Sequence, residues 1–201
     1  MAAVEFNVVI SGVGGQGILT AEHLLAQTAL RKGYKVRAGE IHGLAQRFGS
    51  VVAFVRFGET VYGGSVPDGM GDLILGFEPV ETMRYINFVK DGGVAIVNTK
   101  KIPPVQVSMG LYEYPSWDEI KFWLSERNIK LIGIPAEDLA LKAGSALAVN
   151  TVMVGAAIKL GLLPFEPEDI KDTIKEIFPA KLHDLNFKAF DLGYEAEPEI
   201  A

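Results

Sequence analysis

Two short stretches of this chain hold the residue types that bind anions or move protons. The first is Gly12-Val13-Gly14-Gly15-Gln16-Gly17. Glycines tolerate positive φ and let a ligand or another segment approach where a Cβ would collide. A helix opening directly after such a turn presents unpaired N–H groups and the positive end of its dipole, which suits a phosphate. The glycine spacing also satisfies the dinucleotide fingerprint, although the same spacing serves a plain strand-to-helix turn. The second stretch is Gly39-Glu40-Ile41-His42-Gly43-Leu44-Ala45-Gln46-Arg47-Phe48-Gly49-Ser50. Here Glu40, His42, Gln46, Arg47 and Ser50 stand among three glycines, directly after a strand pattern. Glu40 falls about twenty residues past the last glycine of the turn, where a dinucleotide fold carries its ribose-binding acid. His42 is the candidate for proton exchange near neutral pH, and no other catalytic group is assigned. Taken singly, His42 reads as a surface histidine and Arg47 as a solvated charge. The cluster is the signal. The candidate cofactor-binding set is therefore Gly12, Gly14, Gly15, Gln16, Gly17, Glu40, Gln46, Arg47 and Ser50.

The elements that must position these residues read as alternating strands and helices. Val4 to Ile10 turns fully apolar, as a buried parallel strand does. Ile18, Leu19, Ala21, Leu24, Leu25, Thr28 and Ala29 recur at helical spacing, and Arg31-Lys32 then Gly33 end the helix. Tyr34 to Ala38 reads as the next strand, which makes residues 4–38 a βαβ unit with a right-handed connection. Glu40 to Ser50 then reads as a loop beside the glycine turn, at the carboxyl end of the sheet where α/β folds hold ligands. Further strands are expected at Val51 to Phe57, Asp72 to Leu75, Val94 to Val97 and Lys130 to Ile134. Helices are expected from Pro79 to about Val89, Trp117 to Arg127, Pro135 to Lys142, Ala146 to Lys159, and from Pro167 to Pro179. Ser116 and Glu119 have the spacing of a capping box. Asp91-Gly92-Gly93 reads as a turn, and 103–115 as an excursion between two halves of the domain. Asn150, alone in an apolar helix, is a hydrogen-bonded core amide or a ligand contact. The expected class is α/β, a doubly wound and mostly parallel Rossmann-like sheet with helices on both faces. Residues 1–180 form its domain, and the aromatic stretch 181–201 is a C-terminal helical tail that clasps a neighbouring subunit or folds back on its own core.

Composition narrows the function classes. The net charge of −6 and the lack of a basic stripe speak against nucleic acid. There is no cysteine, so the chain offers no thiolate to a metal or an iron–sulfur cluster. No signal-peptide pattern and no membrane-length apolar run is present, so a soluble, cytoplasmic protein is expected. No metal-ligand spacing occurs either.

Gly12-Val-Gly-Gly-Gln-Gly-Ile-Leu, the long Glu40–Val51 stretch, Asp72-Leu-Ile-Leu-Gly-Phe-Glu-Pro and Asn150 together resemble the γ-type subunits of 2-oxoacid:ferredoxin oxidoreductases. Within that family the likeness is greatest to the small β subunits of the indolepyruvate enzymes. Phe48 departs from the pattern, which has a small residue, often glycine, before Gly49. The resemblance implies oxidative decarboxylation of a 2-oxoacid to acyl-CoA in anaerobic metabolism, with ferredoxin as electron acceptor. It also implies thiamine diphosphate and iron–sulfur clusters in a larger partner subunit, coenzyme A as co-substrate, and a chain inactive by itself that completes the active site and assembly. Isolated, such a chain can self-associate as a homo-oligomer. On that view the glycine turn and the Glu40–Ser50 stretch face the partner's cofactor or the diphosphate of coenzyme A, with Arg47 as the charged contact and Gln46 as a neutral one. Two rivals stand beside this reading. One is a free-standing NAD(P)-binding Rossmann oxidoreductase, although nothing after residue 60 resembles a substrate domain with a catalytic acid and base. The other is a purely structural subunit whose loops meet no ligand.

Overall fold

A computed structural model describes residues 5–43 and 49–200. Seven strands form one sheet: β1 (Phe6–Val13), β2 (Lys35–His42), β3 (Ser50–Gly58), β4 (Gly71–Gly76), β5 (Val89–Asn98), β6 (Lys130–Ile134) and β7 (Glu199–Ile200). Their order across the sheet is β2-β3-β1-β4-β5-β6-β7. β1, β4, β5 and β6 pair in parallel, whereas β3 runs against both β1 and β2, and β7 against β6. Five strands thus share one direction and two oppose it, so the sheet is mostly parallel.

Alternation along the strands sends side chains to two cores. Val8, Ile10, Leu73, Leu75, Ile96 and Ile132 face α1 (Ile18–Arg31), α6 (Val149–Lys159), α7 (Pro167–Ile177) and α8 (His183–Tyr194). Val9, Phe54, Ile74, Ala95, Val97 and Leu131 face the other way, under Ile86, Ile120 and Leu124. The last two belong to α4 (Trp117–Ser125), whose start carries the expected capping box between Ser116 and Glu119. α2 (Pro79–Arg84) begins where β4 ends, α3 (Val105–Ser108) lies in the excursion, and α5 (Ala136–Ala143) follows β6. The tail residues Leu185, Phe187, Phe190 and Tyr194 join the first core, because Gly155 and Gly193 let α6 and α8 approach backbone to backbone.

Three local expectations are corrected. First, strand and helix alternate as expected over the described residues 5–38, but β3 intervenes between β1 and β2, so the two parallel strands do not pair. Second, β2 continues to His42, and Glu40 and His42 are edge-strand residues opposite Ala53 and Val51 rather than loop residues. The apolar β3 supplies a full-length partner, and that pairing overrides the weak strand preference of Gly39-Glu40. Third, the helix from Pro79 stops at Arg84 and passes through a 3₁₀ turn at Ile86–Phe88, because Val89 already pairs with Gly71. Asp91-Gly92-Gly93 lies within β5, where the pairing with β4 shifts register.

Candidate functional site

β1 and β4 are neighbours whose following helices leave on opposite faces, which makes the gap between their carboxyl ends the topological switch point. In a dinucleotide fold this gap receives the ligand. Here Gln16 bridges it. Its Nε2 donates to Phe77 O (2.8 Å) and its Oε1 accepts from Val13 N–H (2.8 Å). Gly12 makes room for that carboxamide, since a Cβ at Gly12 would stand 2.7 Å from Gln16 Oε1 and 2.8 Å from Phe77 Cβ. Asn98 Nδ2 also donates to Phe77 O (3.2 Å), tying β5 to the same point.

Beside this bridge lies a buried acidic network. Glu78, 1% exposed, accepts from Glu81 N–H (3.0 Å), Ile102 N–H (3.1 Å) and the Tyr114 hydroxyl. Burial first, and then the bond to Glu78, push the Tyr114 hydroxyl pKa up. Glu81, 6% exposed, accepts from Arg84 Nε (3.1 Å) and from the Ser50 hydroxyl, which also lies 2.8 Å from Tyr85 Oη. The sequence-chosen Gln16, Gly12 and Ser50 therefore have internal partners or neighbours that account for them.

Of the remaining candidates, Gly14, Gly15, Gly17, Glu40 and His42 converge. A pocket of about 620 Å³ is lined by Gly14, Gly15, Gly17, Glu40 and His42, with Ile18, Leu19, Thr20, Val51, Leu147, Asn150 and Phe178. α1 starts at its floor. Gly17 caps it in the left-handed conformation (φ 82°), no side chain caps the helix, and no acidic residue stands in its first turn. Gly14 N–H donates to Gly49 O (2.8 Å). The amides of Gly15, Gly17, Ile18 and Leu19 have no acceptor among the described residues. Across the pocket, Glu40 Oε1 lies 3.7 Å from His42 Nε2 at the end of β2. Glu22, on α1, has its carboxyl held above the usual range, by burial first and by Glu40 second. Gln46 and Arg47, and the divergent Phe48, lie outside the described residues.

Two polar pocket residues, Asn150 and Thr20, were not in the sequence-derived set. Asn150, 4% exposed, brings its Nδ2 to the α1 start: a Cβ on Gly17 would lie 2.7 Å from it. A lone amide in an otherwise apolar helix was its sequence signal. Thr20 gave none. Among the described residues no group of three or more His, Asp or Glu is placed to hold a metal ion, and no helix is long and apolar enough to cross a membrane.

Residues 7–196 match the family described as pyruvate ferredoxin/flavodoxin oxidoreductase. The indolepyruvate oxidoreductase subunit IorB of Pyrococcus horikoshii is 53% identical over 197 residues, covering 98% of each chain. The fold is that of the pyruvate oxidoreductase subunit PORC of Thermotoga maritima (TM-score 0.72, 24% identity, 98% of each chain). It also recurs in 2-oxoglutarate:ferredoxin oxidoreductase from Magnetococcus marinus, solved with 2-oxoglutarate, coenzyme A and succinyl-CoA bound (TM-score 0.70, 18% identity, 94% of this chain and 30% of that one). A dinucleotide enzyme would need the β1–β4 gap that Gln16 bridges. The chain belongs to the pyruvate ferredoxin/flavodoxin oxidoreductase family, as a small subunit of a 2-oxoacid:ferredoxin oxidoreductase.

Proposed function

We propose that this chain serves an indolepyruvate, or more broadly arylpyruvate, ferredoxin oxidoreductase that converts its 2-oxoacid to acyl-CoA. Its part is to close the active site and to hold coenzyme A there. The observation that carries this reading is the pocket at the start of α1, whose backbone donors have no acceptor among the described residues. The identity of 53% to an indolepyruvate oxidoreductase subunit supports the substrate class. Thiamine diphosphate and iron–sulfur clusters, held by a larger partner subunit, supply decarboxylation and electron transfer to ferredoxin. This chain has no cysteine with which to ligate a cluster.

The chain's own residues then act by binding and orientation. The α1 N–H groups hold an oxyanion of the co-substrate diphosphate, because the dipole end and the unpaired donors both favour negative charge. Ile18, Val51, Leu147 and Phe178 give the rest of the molecule an apolar wall. Glu40 and His42 offer hydrogen-bond partners at the rim. Holding the diphosphate fixes how far the thiol can reach and converts an encounter into an oriented approach.

The test is co-expression with the larger subunit, followed by a visible spectrum, a thiamine assay and ferredoxin reduction with arylpyruvates. The chain alone should be colourless and inactive, and the complex brown and active, with reduction dependent on coenzyme A. A complex that reduces ferredoxin only with aliphatic 2-oxoacids would overturn the substrate class. Tight NAD or NADP binding by the isolated chain would overturn the whole reading.

A further inference from the structure

We infer that the excursion after β5, residues 102–114, is the arm by which this chain docks on the larger subunit, with Val105, Met109, Leu111 and Tyr112 entering an apolar recess there. The arm deepens the reading of the chain as one part of a larger enzyme, on which it rests, by giving that part its joining surface.

Residues 102–112 read Ile-Pro-Pro-Val-Gln-Val-Ser-Met-Gly-Leu-Tyr, without one charge, in a chain of which 22% is charged. Charges return on either side, at Lys100, Lys101 and Glu113. An apolar centre with a charged rim is the make-up of a protein interface. The backbone of the arm is satisfied from within. Met109 N–H donates to Val105 O (2.8 Å), Gly110 N–H to Val107 O (2.9 Å) and Leu111 N–H to Gln106 O (2.9 Å). With Gly110 at φ 74°, these bonds close α3 in a Schellman motif, which folds Leu111 back towards Val105. Met109 stands one turn beyond Val105 on the same side. Both ends of the arm are tied to a single atom: Glu78 Oε1 accepts from Ile102 N–H (3.1 Å) and from the Tyr114 hydroxyl. Lys101 Nζ lies over the Tyr114 ring, 4.9 Å from its centre. The arm is therefore held in one shape before anything binds, which lowers the entropic cost of docking.

Its side chains point the other way from a core. Val105 is 70% exposed, Met109 68%, Leu111 63% and Tyr112 71%, and among the described residues none of 102–115 joins either apolar cluster. Grouped apolar side chains that the chain itself leaves uncovered mark an interaction surface. At these exposures the four offer on the order of 500 Å². Two arms facing each other across a two-fold axis would bury roughly 1,000 Å² in total, short of the about 1,200–2,000 Å² of a stable interface. A second copy of this chain is therefore too small an occupant. The arm leaves the carboxyl end of β5, at the same edge of the sheet as the pocket and the ends of β1 and β2. A body large enough to complete a site at that edge also reaches the arm and supplies the missing area. The fold occurs joined to such a body, since it accounts for only 30% of the matched chain of the Magnetococcus marinus enzyme.

The test is made on the full-length chain, alone and co-expressed with the larger subunit. Met109→Asp combined with Leu111→Asp places two charges in the apolar centre of the arm. Both positions are exposed, so the isolated variant should keep the wild-type Tm to within about 2 °C. The amount of larger subunit that co-purifies with it should fall about tenfold or more, because charges buried without partners at an interface centre are costly. Leu30→Asp is the control. Leu30 is 51% exposed in the last turn of α1, away from the carboxyl edge, and this variant should co-purify like wild type. Hydroxyl-radical labelling of the unsubstituted protein gives a second reading that does not depend on a variant folding. Met109 and Tyr112 should be labelled in the isolated chain and lose most of that labelling in the complex. A double variant that co-purifies like wild type, or Met109 and Tyr112 labelled equally in chain and complex, would overturn the arm and leave the two-subunit reading intact. Isolated chains that pair through these residues, and lose the pairing in the double variant while still joining the larger subunit, would make a second copy the occupant and overturn it too. A wild-type chain that does not join the larger subunit would overturn both readings.

Discussion

Two polar regions lie side by side at the carboxyl edge of the sheet, and they differ in where their hydrogen bonds go. At the β1–β4 gap, Gln16, Asn98, Glu78, Glu81 and Ser50 find partners within the chain, some sixty residues away in the case of Gln16 to Phe77. At the start of α1, a few ångströms along the same turn, the backbone amides and Asn150 Nδ2 find none among the described residues. Closed networks of this sort specify the fold, because any substitution exposes a buried group. Donors left unanswered at an open pocket remain available to solvent or to a ligand. One glycine turn serves both purposes, with Gly12 facing the closed network and Gly17 the open one.

Breaking the closed side should cost stability and leave the pocket's affinity alone. Glu78→Ala removes the acceptor for three donors in a site 1% exposed, and we expect a loss of about 2–4 kcal/mol in chemical denaturation. Coenzyme A affinity of the folded fraction should be unchanged; a parallel loss would merge the two regions into one. Gln16→Ala comes next. Phe77 O keeps its bond from Asn98, so only the Val13 amide is stranded, and about 1–2 kcal/mol is expected. If Gln16→Ala instead left the Tm unmoved and abolished coenzyme A binding, Gln16 would be a ligand contact after all.

This contrast explains what the residues could and could not tell in advance. The α1 pattern, its stop at Gly33, the Ser116–Glu119 capping box and the helix opened by Pro167 depend on neighbours in sequence, and all are found. The α/β class with helices on both faces is found as well. Strand direction is not written in alternation, so the antiparallel β3 between β1 and β2 was invisible. The division of roles within the glycine turn was equally hidden. Gln16 and Ser50 have the residue types of a ligand site, and only partners far along the chain reveal that they are occupied. Asn150 reaches Gly17 through packing of α6 against the sheet, and no local pattern encodes that meeting.

The smallest effect tests the acidic rim of the open side. Burial, and then the charge of Glu40, hold the Glu22 carboxyl above its ordinary value of 4.5. The folded protein therefore binds that proton more tightly than the unfolded chain does. The contribution of Glu22 is fully present below the unfolded pKa and is lost as pH rises through the folded one. Glu22→Gln removes this loss, so the variant should be more stable than wild type at pH 7, by less than about 1 kcal/mol after solvent screening. The gain should vanish below pH 4, where wild type is protonated in both states. In a Glu40→Gln background the gain should shrink, since the second cause is gone. A ligand anion at the start of α1 adds negative charge near the same carboxyl, so the midpoint of Glu22, followed by NMR, should rise further when coenzyme A binds. A midpoint that stays put at saturating coenzyme A would place the diphosphate elsewhere on the chain.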